Sequence, residues 1–324
     1  MIRVFYSLKM TRKIVFGLAT ALVLTLSIAH LAIAQTCGFC STNNTAGGGF
    51  ALNHIAGSTG KENSAFGDDA LFADTIGSDN TAVGTGALEF NNNSQNTAIG
   101  VDALENNAGA DNTAAGFLAL ENNTSGAFNT AGGESSLQAN TTGSFNTASG
   151  EHALQLNITG QKNTATGASA LRNNTTGTLN TATGYEALNN NNADNNTGTG
   201  FAALFSNSTG TQNTATGTSA MINNSTGSSN TATGYQALDN NNGDNNTATG
   251  WAALFSNSTG TQNTASGASA MIKNTTGSFN AATGEAALMT NTSGGLNTAT
   301  GAGALQNNKT GSNNTATGLY AVTE

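Results

Sequence analysis

Proline is absent from this 324-residue chain and charge is scarce, with 8% of residues being Asp, Glu, Lys or Arg. A disordered chain ordinarily carries proline and high net charge, so a polar composition with neither points away from disorder. The same scarcity beside 41 glycines is unlike an ordinary globular domain. Nine Lys and Arg stand against eighteen Asp and Glu, a net charge of −9. Nucleic-acid affinity rests on Lys and Arg contacts to phosphate, and no basic patch is present to make them. Histidine is nearly missing as well: His30 lies in an N-terminal apolar run, while His54 and His152 have no partnered nucleophile. Neither an enzyme activity nor a cofactor or metal is expected. Asp194, Asp239 and Asp244 sit in Asn-rich turns without the Gly-Gly-x-Gly-x-Asp pattern of calcium-binding β-rolls, and they read as turn formers.

The two cysteines, Cys37 and Cys40, lie together in Cys37-Gly38-Phe39-Cys40. No strand-helix context follows them and no second ligand pair exists, so neither redox nor zinc chemistry is indicated. In an exported protein they are candidates for a disulfide, either within one chain or clamping subunits together. Export is suggested by residues 1–34, where Arg3, Lys9, Arg12 and Lys13 precede an apolar run closing on Ala32-Ile33-Ala34. This has the form of a secretory signal cleaved before Gln35. An uncleaved membrane anchor is the alternative, since the run is long enough to span a bilayer. After cleavage no membrane span remains in the sequence. The chain therefore divides into a leader (1–34), a short Cys-containing segment (35–43) and a repeat domain (44–324).

What is abundant is a repeat. Asn-Thr-Ala-x-Gly, followed three residues later by Ala-Leu, recurs from Asn44 to Asn314, and after the first interval every step is 16 or 17 residues. So short a period is the mark of a solenoid, whose coils bury their apolar side by stacking on neighbours. In the unit beginning at Asn163, Thr164-Ala165-Thr166 reads as a short strand and Gly167 as the positive-φ residue that ends it. Ala170-Leu171 reads as a second short strand, and Asn173 to Gly177 as a second turn. The expected fold is all-β, a parallel β-roll or β-helix about 80 Å long at the usual strand spacing. Its core column runs through Leu52, Leu71, Leu88 and their equivalents to Leu305 and Val322. One Leu per coil offers roughly 2–3 kcal/mol, less than the cost of ordering the coil backbone, so Asn and Thr ladders and a shared axis of several chains are expected to contribute.

The position after the motif Gly is the most variable. It carries Phe117, Tyr185, Phe201, Tyr235 and Trp251, but also Asp68, Glu134, Glu151 and Glu285, and so reads as solvent-facing. The five aromatics are candidate ligand contacts for sugars or another apolar surface; aromatics covering a corner of a recently duplicated block are the alternative.

Asn-Thr-Ala-x-Gly with its following Ala-Leu resembles the YadA-like head repeats of trimeric autotransporter adhesins and related repeats of bacterial surface and phage tail fibres, over about Asn44 to Glu324. The resemblance implies a left-handed parallel β-roll assembled as a homotrimer, with strand residues on either side of the central Ala facing inward. Thr164 and Thr166 would then point inward and Ala165 outward. It also implies a secreted or surface-exposed adhesin head, held at the outer membrane by a separate anchor, that binds glycans, matrix or other cells. A heptad stalk, membrane barrel and tail-fibre chaperone are all missing from the pattern. A phage-type shaft segment is one alternative. Ice binding through stacked Thr-x-Thr is another, although Phe66, Val83, Ile99, Ala115 and Gly132 at the second Thr position suit an inward site better than a regular exposed plane.

Overall fold

The computed structural model describes residues 43–53 and 59–322. The expected leader and the Cys37–Cys40 pair lie outside the described residues. Seventeen three-residue strands, β1 (Thr45–Gly47) through β17 (Thr315–Thr317), form one parallel sheet, one strand per motif. Every strand pairs in register with the next in sequence; Thr164, Ala165 and Thr166 of β8 (Thr164–Thr166) face Thr181, Ala182 and Thr183 of β9 (Thr181–Thr183). Among the described residues there is no helix, and none long and apolar enough to cross a membrane. The expected parallel β-solenoid of 16–17-residue coils is thus present.

Each coil has one strand, not two. The Ala-Leu segment is a turn in which Leu takes a left-handed backbone, as at Leu171 (φ 50°) and Leu188 (φ 52°). That conformation is costly for a residue with a Cβ. Two gains offset it: the Leu side chain is fully enclosed, and its N–H is turned along the rod to donate to the next coil, Leu171 to Ala187 O at 3.0 Å. A third corner is Gly167 (φ 124°), where a Cβ would stand 2.6 Å from Gly184 O, so the coils can stack this closely only with glycine.

The strand faces are reversed from the resemblance-based expectation. Ala65, Ala82, Ala165 and their equivalents are wholly buried, whereas the flanking residues, Thr164 and Thr166 included, are outward. The reason is space and polarity. The strand lies against the Leu-bearing turn of its own coil, where a methyl fits and a hydroxyl would lack a partner. At Gly198, which replaces Ala in β10 (Thr197–Thr199), an added Cβ would be 3.1 Å from Leu188 Cγ. Phe66, Val83 and Ile99 likewise point outward. Ala and Leu close the core inside a single chain, so the Leu column needs no shared axis to be buried. Val322, expected to end that column, is exposed.

Two asparagine columns complete the interior. The Asn163 N–H donates to Asn146 Oδ1 at 3.0 Å, and its Nδ2 donates to Gly177 O at 2.8 Å. Asn174 Nδ2 donates to Asn157 Oδ1 and to the same Gly177 O, both at 3.0 Å. In the shorter coils the missing residue comes from the second turn: Asn191 Nδ2 reaches Ala193 O two residues on, where Asn174 reaches three. Register in the sheet is therefore unaffected by coil length.

Candidate functional surfaces

With the core filled by Ala, Leu and Asn, the candidate functional groups stand on outer columns repeating once per coil. Phe117, Tyr185, Phe201, Tyr235 and Trp251 occupy the corner just past the strand and are each 47–54% exposed. Register places Tyr185 beside Phe201, and their rings stack with centroids 5.5 Å apart and planes 15° from parallel. The other aromatics of the set do not form a continuous row: Thr218 occupies the same corner between Phe201 and Tyr235. The structure thus brings the candidates to one column but pairs only two of them closely.

A second aromatic column went unnoticed in the sequence. It is the residue before the motif Asn, also left-handed in backbone, with Phe128 and Phe145 stacked at 5.0 Å and 8° and with Leu179, Phe279 and Leu296 exposed beyond them. The signal was available as the recurrence of Phe or Leu at that one position. The third column is the outward strand face itself, apolar at Phe66, Val83 and Ile99 and hydroxyl-bearing from Ser149 onward.

Charge is confined to a few columns. Glu89, Glu105 and Glu121 stack one coil apart beside Asp69 and Asp102. The Glu89 carboxyl is held above its usual pKa by burial, then by Asp69 and Asp102; that of Glu105 is raised by burial, then by Asp102, Glu121 and Glu89. The column continues as a chain of side-chain hydrogen bonds: Gln138 Nε2 donates to Glu121 at 2.7 Å, Gln155 Nε2 to Gln138 at 3.1 Å, and Arg172 Nε to Gln155 at 3.0 Å. Burial also raises Asp239, against a hydrogen bond from Asn223 that lowers it. Asp194 and Asp244 accept the backbone N–H groups of Thr178 and Ser228 in the preceding coil at 2.7 and 2.8 Å, so these bonds tie coils together rather than close a local turn. His152 lies 3.3 Å from Glu151, with no nucleophile paired to it, and His54 lies outside the described residues. Among the described residues no group of three or more His, Cys, Asp or Glu is placed to hold a metal ion. No protein-family model matches the chain, and no curated protein matches it.

Proposed function

We propose that this protein is a non-enzymatic structural fibre, exported and displayed outside the cell, that attaches to surfaces through many weak contacts. The observation carrying this reading is the in-register stacking of seventeen strands, which lines up the outward side chains of successive coils in continuous columns. Repeated weak contacts on one rigid body sum to a firm attachment because each contact after the first is intramolecular. Phe117, Tyr185, Phe201, Tyr235 and Trp251 are the contacts of choice, since exposed ring faces suit the apolar faces of sugar rings and aromatics supply large contact area. The apolar and basic features of residues 1–34 support export.

The test is replacement of Tyr185, Phe201, Tyr235 and Trp251 together by Ser, followed by measurement of binding to polysaccharide arrays and to cell surfaces. Loss of retention is expected with the β-sheet circular dichroism and melting temperature retained, because these side chains lie outside the core. Unchanged retention would remove the aromatics from the reading.

A further inference from the structure

We propose that the outward face of β7 (Thr147–Ser149) through β17 binds ice. The inference goes beyond attachment through the aromatic corner, because it concerns a different set of side chains. In these eleven strands the two outward positions of each are Thr in nineteen of twenty-two cases, the others being Ser149, Ser266 and Ala281. No charged residue interrupts the two columns.

These hydroxyls stand in register from strand to strand, and the protein does not use them. In the second turn several hydroxyls are used in bonds between coils: Thr141 Oγ1 donates to Ile158 O at 3.0 Å, Ser208 Oγ to Ser225 O at 2.8 Å, and Thr292 Oγ1 to Lys309 O at 2.9 Å. The strand-face Thr residues bond to the rest of the chain through their backbones alone, as where the Thr164 N–H meets Asn180 O at 2.8 Å and the Thr231 N–H meets Asn246 O at 2.9 Å. Their hydroxyls are thus left to solvent. Neighbouring strands lie about 4.8 Å apart, and alternate residues of one strand about 6.6–6.8 Å apart. Parallel in-register pairing repeats that cell over about 48 Å, ten strand spacings.

A grid of this kind orders water in two dimensions. Each Thr offers a hydroxyl that can hold one water molecule and a methyl that sits between such waters, and the two spacings are close to oxygen repeats on a face of hexagonal ice. A glycan would meet the same hydroxyls with its own irregular spacing and use few of them at once. A crystal can use all of them. The absence of charge matters too, since a strongly hydrated ion on the face would hold water in a geometry foreign to the lattice. The apolar outward residues Phe66, Val83 and Ile99 and the small Ala115 and Gly132 lie before β7, so the grid begins where they end.

The experiment is partition of the purified protein into a slowly growing ice crystal, with an acidic protein of similar size as control, together with ice-recrystallisation inhibition. Enrichment in the ice fraction and inhibition of recrystallisation are expected. Thr216→Lys with Thr233→Lys, in the middle of the grid, is expected to raise the concentration needed for inhibition by about tenfold or more, since the contacts act together. Thr216→Tyr with Thr233→Tyr, which keeps strand-favouring side chains while breaking the plane, is expected to do the same. The Ser variants of the aromatic corner are expected to retain inhibition, so loss of adhesion and loss of ice binding are separately readable. Exclusion of the unaltered protein from ice to the same extent as the control would overturn the proposal, as would full inhibition by a folded Lys or Tyr pair.

Discussion

Burying an asparagine is costly unless both ends of its amide are used, and in this chain the amide is what ties one coil to the next. Asn163 illustrates the economy of the arrangement. Its Oδ1 accepts the Asn180 N–H at 3.0 Å while its Nδ2 donates to Gly177 O, which Asn174 Nδ2 also reaches, so removal of the side chain strands one buried donor, the Asn180 N–H. Asn163→Ala is expected to destabilise by about 1–3 kcal/mol, the cost of the one buried group left unpaired. Thr164→Ala, one residue away on the outward face, is expected to stay within about 0.5 kcal/mol, as surface substitutions ordinarily do. Urea denaturation of the two variants measures the difference directly. Equal stabilities would mean that the Asn columns contribute nothing the Ala-Leu core does not. Among the described residues the second column departs from Asn at Asp74, whose Oδ1 accepts the Gly77 N–H at 2.7 Å where Asn174 instead donates to Gly177 O.

At the scale of the coil, the acidic column sets a pH response. Glu89 and Glu105 bind their protons more tightly in the folded chain than their ordinary values imply, burial being the first cause and neighbouring carboxylates the second. For an acid whose folded value is raised, ionisation opposes folding. The penalty is absent below the ordinary carboxylate range, grows as pH rises through it, and is complete above the raised folded values. Glu105→Gln is therefore expected to raise the melting temperature at pH 7 and to leave it nearly unchanged at pH 3, where the native side chain is already protonated. A melting-temperature series against pH for both proteins checks the sign; a variant less stable at pH 7 would contradict it. The coil also shows what could and could not be seen in advance. Period, parallel stacking, the Leu column and the positive-φ glycine were legible because each leaves a residue type at a fixed spacing. The direction of Thr164-Ala165-Thr166 was not, because a three-residue strand has the same alternation whichever face is inside. Nor was the left-handed turn at Leu171, since Ala-Leu in sequence looks like the inward pair of a second strand and nothing in a Leu side chain announces positive φ. The aromatic corner was legible from its tolerance of both Trp251 and Glu285, and the Phe128–Phe145 position carries the same sign, Phe and Leu alternating with Lys162 and Gln212.

For the whole rod, the decisive fact is that the Ala-Leu core is buried within one chain. Leu71, Leu88, Leu171 and Leu238 are fully enclosed by the stacked coils of one chain, so burying the Leu column gives no energetic reason for wrapping several chains around a common Leu axis. Stability then arises from each coil and its interface with the next, as in other solenoids, and no partner is required to complete the core. Light scattering on the purified protein is expected to give the mass of one chain, and small-angle scattering a rod on the order of 80 Å in length, set by seventeen strands at their usual spacing. A three-chain mass would restore the shared axis that the resemblance implies, but with different contents. The groups available to line it would be the outward strand columns, with Phe66, Val83 and Ile99 near one end and paired Thr thereafter. In that arrangement the Thr grid would be withdrawn from solvent and could meet no ice, leaving the aromatic corner as the surface for attachment. The mass of the particle therefore decides between an exposed hydroxyl lattice and an assembly that uses the same lattice to hold its chains together.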